Sequence, residues 1–196
     1  MNHYYSKKQD SKLKLKKISA VIRNKKLEFY TASGVFSKDK IDNGSYILAQ
    51  NAIIKKGWDV LDLGCGYGAI GIAIAKSEDA KVLMADVNER AVFLARKNAE
   101  LNKVNAEARE SDVFSNIPEK FDTILVNPPQ AAGKKLCFRL IEESKEHLKK
   151  DGLLQLVARP RKGGKTLAKK MMDVFGNVEI IAKGAGFTVY ASKLSS

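Results

Sequence analysis

The chain predicts an α/β fold: a Rossmann-like, doubly wound sheet of seven strands, mostly parallel, with helices on both faces and an antiparallel C-terminal hairpin. Three observations carry that expectation. Short apolar runs alternate with helical stretches through the middle of the chain, a glycine-rich loop joins the first of these runs to a helix, and VEIIAKGAGFTVYAS at the end holds two β-rich runs around Gly184 and Gly186. At 196 residues and 44% hydrophobic content, the length fits one domain with a sizeable core. The expected organisation is a basic helical extension over residues 1–26 and a single domain over residues 27–196.

In order along the chain, residues 1–26 crowd lysines and arginines, and Leu15, Ile18, Val21 and Ile22 are spaced like one apolar face of a helix. LEFYTASGVFS, residues 27–37, reads as two extended pieces around a turn at Ser33 and Gly34. Asn43, Gly44 and Ser45 offer caps for a helix running to about residue 55. Then DVLDL, KVLMAD, AEARE, DTILVN and GLLQLVA alternate with helical stretches, the pattern of a parallel sheet covered on both faces. The helix after Asp86 is the clearest: Asn88 is its cap, and Val92, Leu94, Ala95, Ala99 and Leu101 supply a buried stripe. Asp151 and Gly152 turn the chain into the fifth strand.

Composition narrows the function. A net charge of +13 and a pI near 9.6 suit a polyanionic partner, with nucleic acid favoured over a merely solvated lysine-rich surface. Cys65 and Cys137 are the only cysteines and His3 and His147 the only histidines, so neither a disulfide framework nor a metal site is expected. The start, MNHYYSKKQD, lacks the apolar core of a signal peptide, and no apolar run reaches the roughly 18 residues of a membrane span, so a cytoplasmic protein without membrane partners is expected.

Two motifs carry the chemistry. VLDLGCGYGAIG, residues 60–71, follows a strand and opens a helix, where glycines let the backbone approach a nucleotide. Gly64, Gly66 and Gly68 make GxGxG, while Gly66, Gly68 and Gly71 make GxGxxG with Asp86 about 20 residues on, so spacing alone leaves the cofactor open. Asp86, ending its strand, can accept from both hydroxyls of an adenosine ribose. Asp112 can accept from an adenine amine while Val113 lies against the ring. The second motif ends the strand DTILVN in Asn127, Pro128 and Pro129. Neither proline donates a backbone hydrogen bond and each holds its predecessor extended, which fixes carbonyl oxygens and the Asn127 amide as acceptors for a substrate amine. In a doubly wound sheet both motifs face the crevice where strand order reverses.

DLGCGYG, ADVNERA, SDVF and FDTILVNPP, in this order, resemble motifs I to IV of class I S-adenosylmethionine-dependent methyltransferases with an NPP signature. GVFSKDKIDNGSYILAQ and GAGFTVYAS are further similar to segments of the small-subunit ribosomal RNA guanine-N2 methyltransferases of type C, in a single-domain, archaeal-like form. The resemblance implies an S-adenosylmethionine-dependent N-methyltransferase acting on an exocyclic amine, with guanine N2 of ribosomal RNA first, transfer RNA second and a protein glutamine amide as a further alternative. It implies cofactor contacts at Asp62, Gly64, Gly66, Gly68, Asp86, Val87, Asp112, Val113 and Asn127, and catalysis at Asn127, Pro128 and Pro129.

If the Asn127 side-chain oxygen and the Pro128 carbonyl accept the two N–H bonds of a base amine, the nitrogen lone pair can aim at a sulfonium methyl without a strong base. Where the family commonly has an aromatic residue that stacks on the flipped base, this chain has Gln130; Phe36 is a substitute. Arg159, Arg161 and Lys162 after the fifth strand, with Lys165 and the lysines of the N-terminus, are candidate RNA contacts. A nicotinamide-dependent oxidoreductase would explain GxGxxG and Asp86 but not NPP, and Tyr190 and Lys193 lack the spacing of a YxxxK pair. A non-catalytic RNA-binding module predicts affinity without transfer. GGKT, residues 163–166, fails as a P-loop because its first glycine would fall at Arg159.

Overall fold

A computed structural model describes residues 15–32, 39–129 and 133–195. The chain begins with two antiparallel strands, β1 (Leu15–Ile22) and β2 (Lys25–Ala32). This overturns the expected N-terminal helix over its described part; residues 1–14 lie outside the described residues. Ile18, Ala20 and Ile22 turn inward at the period of a strand, whereas Leu15 and Val21, which a helical face would bury, are 45% and 59% exposed. The two-residue turn at Arg23 and Asn24 has φ of 50° and 60°, the left-handed geometry that closes tight hairpins, here without the Asn-Gly signature that announces it. The expected boundary at residue 27 therefore falls inside β2. Ser33, Gly34 and Phe36 lie outside the described residues.

The remaining elements follow as helix α1 (Asn43–Asn51), β3 (Asp59–Leu63), α2 (Ala69–Ser77), β4 (Lys81–Asp86), α3 (Glu89–Leu101), β5 (Ala106–Glu110), β6 (Phe121–Val126), α4 (Lys134–Glu146), β7 (Leu148–Ala158), α5 (Gly164–Phe175), β8 (Glu179–Gly184) and β9 (Phe187–Lys193). Seven of the strands form one sheet in the order β5-β4-β3-β6-β7-β9-β8, parallel as far as β7 and antiparallel in the last two pairs. The expected doubly wound sheet and closing hairpin are both present. Its order reverses between β3 and β6, and every parallel strand ends at the same edge as those two.

Strand alternation sends Val60 to one face and Leu61 and Leu63 to the other, so each face gains its own core. One core joins Val60, Met84 and Leu125 to Leu48 of α1, Ile72 and Ile74 of α2, Leu94 of α3 and Phe29 of the hairpin. The other packs Leu61, Ile124 and Leu156 under Ile141 of α4 and Met171 of α5. Ile124 is fully buried, and its truncation to alanine is worth about 2–5 kcal/mol.

Two asparagines one helical turn apart dock the hairpin. Asn98 accepts from Tyr30 N at 2.7 Å and donates to its carbonyl at 2.9 Å, and Asn102 does the same for Glu28 at 3.1 and 2.7 Å. Alternate residues of a strand and positions i and i+4 of a helix advance by nearly the same distance, about 6–7 Å, so α3 satisfies the edge of β2 as a strand would. Asn98 Nδ2 also donates to Tyr67 O at 2.9 Å, tying the hairpin to the glycine loop. Asp42 caps α1 by accepting from Ser45 N at 3.0 Å, one residue before the expected caps, and the helix stops at Asn51.

Candidate active site

A cavity of about 650 Å³ opens at the carboxyl edge of the sheet, across the β3–β6 reversal. Its size suits a ligand such as a nucleoside with an attached amino acid. Gly64, Cys65, Gly66, Asp86, Val87, Asp112, Val113, Asn127, Pro128 and Pro129 all line it.

On the β3–β4 side the backbone makes the site. Gly64 has φ of 75° with nothing within 4 Å of an added Cβ, so here the glycine is needed for its backbone angle. Asp86, 6% exposed, accepts from Gly66 N and Asn88 N, each at 2.9 Å, one on each carboxylate oxygen. Burial raises its pKa, opposed by the backbone N–H groups of Asn88, Gly66 and Val87. A carboxylate offers about four lone-pair sites, so with these three backbone donors it keeps capacity for a ribose hydroxyl. The side chain thus fits the adenosine end of S-adenosylmethionine. Tyr67 stays protonated, because burial pushes its hydroxyl above the ordinary range.

Two expected cofactor residues stand behind this wall instead of on it. Asp62 is fully buried, accepts from Gly71 N at 2.8 Å, and its Oδ1 meets no protein donor. Burial raises its carboxyl to about 7. A Cβ on Gly68 would come within 3.0 Å of Met84 Sδ, and one on Gly71 within 2.6 Å of Met84 Cγ. These glycines let α2 pack against β4. Beyond Asp86 along the cavity wall, Asp112 pairs with Arg139 of α4 at 3.0 Å. Val113 is held at φ 53°, strained for a β-branched residue by on the order of 1–3 kcal/mol, while its carbonyl accepts from Ser111 Oγ at 2.9 Å.

On the β6 side the site is made by side chains. Asn127 Nδ2 donates to Asp42 Oδ1 at 3.1 Å and to Ser45 Oγ at 3.0 Å. A carboxylate only accepts, so the NH2 end of the amide is committed to the start of α1 and Oδ1 is the end left for a substrate. Asp42 and Ser45 line the cavity and were missed as site residues. Their signal was the DNGS run, where the capping reading of Asn43 to Ser45 concealed a second task. Arg159 and Lys162 reach the cavity from the turn after β7, and Phe187 from the start of β9; Arg161 is exposed on the short 3-10 helix Pro160–Lys162 but outside the lining. Gln130 lies outside the described residues, as do the N-terminal lysines up to Lys14, while Lys16 pairs with Asp39 and Lys17 with Glu28. Cys65 and Cys137 are free and buried, and among the described residues no cluster of three or more His, Cys, Asp or Glu could hold a metal. No helix of the described residues is long and apolar enough to cross a membrane.

The profile of the methyltransferase small domain matches residues 26–191. Uncharacterized protein YbxB of Bacillus subtilis (strain 168) is 39% identical, the match covering 97% of this chain and 98% of that one. Ribosomal RNA small subunit methyltransferase C of Hamiltonella defensa subsp. Acyrthosiphon pisum (strain 5AT) is 35% identical over 87% of this chain and 51% of its own. The putative protein N5-glutamine methyltransferase MJ0928 of Methanocaldococcus jannaschii is 36% identical over 71% of this chain and 81% of its own. Among solved structures, the T. thermophilus 16S rRNA N2 G1207 methyltransferase (RsmC) in complex with AdoMet and guanosine matches with a TM-score of 0.83 at 28% identity, covering 93% of this chain and 51% of that one. The chain thus spans about half the length of the ribosomal RNA methyltransferases it matches.

Proposed function

We infer the reaction from one premise: the chain belongs to the methyltransferase small domain family, and its cofactor is S-adenosylmethionine. The acceptor we propose is an exocyclic amine of RNA, with guanine N2 of ribosomal RNA as the target. The observation that carries this reading is the committed orientation of the Asn127 amide at the carboxyl edge of β6, in the same cavity as Asp86.

S-adenosylmethionine supplies an electrophilic methyl on a sulfonium. The chain's own contribution is alignment. An aromatic amine is a weak nucleophile because its lone pair is delocalised into the ring. Asn127 Oδ1 and the Pro128 carbonyl accept its two N–H bonds and favour the positive charge that develops on nitrogen. As the N–C bond forms, the C–S pair stays with sulfur, and the proton leaves nitrogen for water. Pro128 and Pro129 keep the segment extended, so its carbonyl and the Asn127 side chain hold a fixed relation.

Arg159 and Lys162 on the cavity wall, with a net charge of +13, favour a polyanionic substrate over a peptide. A glutamine amide presents the same kind of nitrogen, and the likeness to MJ0928 makes it the second reading. Transfer RNA shares the chemistry of ribosomal RNA and is separated from it by the same assay. The test is mass spectrometry of digested RNA from cells lacking the gene, beside transfer of labelled methyl to purified ribosomal RNA, transfer RNA and protein. Loss of N2-methylguanosine from ribosomal RNA is expected; label in protein glutamine alone would overturn the RNA reading.

A further inference from the structure

We propose that the Phe187 ring, paired with the Arg159 guanidinium, is the platform on which the target base stacks while Asn127 orients its amine. The proposal rests on the RNA reading above and adds to it the residue that holds the base. Phe187 begins β9, which runs antiparallel, so its first residue lies at the sheet edge where β7 and β6 end. It lines the same cavity as Asn127.

A short series of contacts ties the ring to the reaction centre. A Cβ added to Gly44 would meet Phe187 Cε1 at 2.9 Å and Asp42 Oδ1 at 3.0 Å, and Asp42 Oδ1 is the atom that holds Asn127 Nδ2 at 3.1 Å. Gly44 therefore admits the ring beside the Asp42–Asn127 pair, where any side chain at that position would push it away. The guanidinium of Arg159 sits 4.7 Å from the ring centroid. A ring with a planar cation over it presents flat, polarisable surface to a base. The other aromatic in the described lining, Tyr67, is 4% exposed, whereas Phe187 is half-buried and its successors Thr188 and Val189 are buried. The aromatic role that the type C resemblance assigns beside the NPP run, where this chain has Gln130, is thus supplied from the far end of the sequence.

Methyl transfer to the RNA that the unaltered protein modifies, measured as kcat and KM, tests the assignment alongside S-adenosylhomocysteine affinity. Phe187→Leu is expected to lower kcat/KM roughly tenfold and Phe187→Tyr to stay within about threefold, both with unchanged S-adenosylhomocysteine affinity. Arg159→Lys keeps the charge and loses the plane, and its exposed position spares the fold; a loss of about threefold or more is expected. Wild-type rates in Phe187→Leu and Arg159→Lys would overturn the platform while leaving the RNA reading intact. So would a Phe187→Leu loss matched by equal losses of S-adenosylhomocysteine affinity and melting temperature, the mark of a packing role. If the unaltered protein methylates protein glutamine and no RNA, the RNA reading falls and the platform with it.

Discussion

On the β3–β4 side of the cavity the contacts are made by backbone groups close in sequence, Gly66 and Asn88 around Asp86, with a wall of buried apolar residues behind them. On the β6 side Asn127 relies on Ser45 and Asp42, 82 and 85 residues away, and the wall is completed from the turn after β7 and the start of β9. The first side is one local unit, a strand, a glycine turn and a helix start, of the kind that binds nucleotides. The second can change its substrate by changing elements that are independent of that unit. Selectivity is expected to reside there, and cofactor affinity on the other side.

The sharpest way to break this division is Asn127→Ala, which should lower kcat by about 100-fold or more while S-adenosylhomocysteine affinity changes by less than about threefold. Parallel losses in both would mean that the two sides are not separable. In the opposite direction, Asp86→Ala is expected to weaken S-adenosylhomocysteine binding by about 10-fold or more in calorimetry, from the loss of hydrogen bonding to a charged acceptor. Because burial raises the Asp86 pKa, affinity should also decline on acidification sooner than an exposed carboxylate would allow. An affinity flat down to pH 4 would remove Asp86 from the ribose.

Ser45→Ala tests the division more gently. It removes one of the two acceptors on the Asn127 amide but leaves the Asp42 cap of α1, so a several-fold drop in kcat, on the order of 1 kcal/mol, is expected with the melting temperature nearly unchanged. The last effect is on stability and leaves both sides of the cavity untouched. The folded protein holds the Asp62 proton up to about pH 7, whereas an unfolded aspartate releases it near pH 4. Over that interval the native state binds more protons, so the Asp62 contribution is full below about pH 4 and declines until about pH 7. Asp62→Asn should remove this component, and the difference in melting temperature between variant and wild type should shift in the variant's favour from pH 4 to 8. A constant difference would show that Asp62 does not titrate in this range.

The same contrast governs what could be read from the chain before its fold was known. The five parallel strands, the Asn88 cap and the C-terminal hairpin follow from periodicity and turn residues, because each is decided within about ten residues. The N-terminal hairpin was mistaken for a helix because Ile18 and Ile22 satisfy both periods, and only the exposure of Leu15 and Val21 separates them. Asp62 and Gly68 belong to the glycine motif but face the sheet and α2, a distinction that spacing does not contain.

The sequence alone determined the alternating α/β order, the glycine turn with its distant acid, and the NPP run as a candidate acceptor set, since these depend on backbone angles and on side-chain periods along one strand or helix. Tertiary structure decided which end of the Asn127 amide is committed to α1, and which aromatics line the same cavity. Both depend on hydrogen bonds and contacts between residues more than 50 positions apart, and those directions are set by sheet register and helix docking.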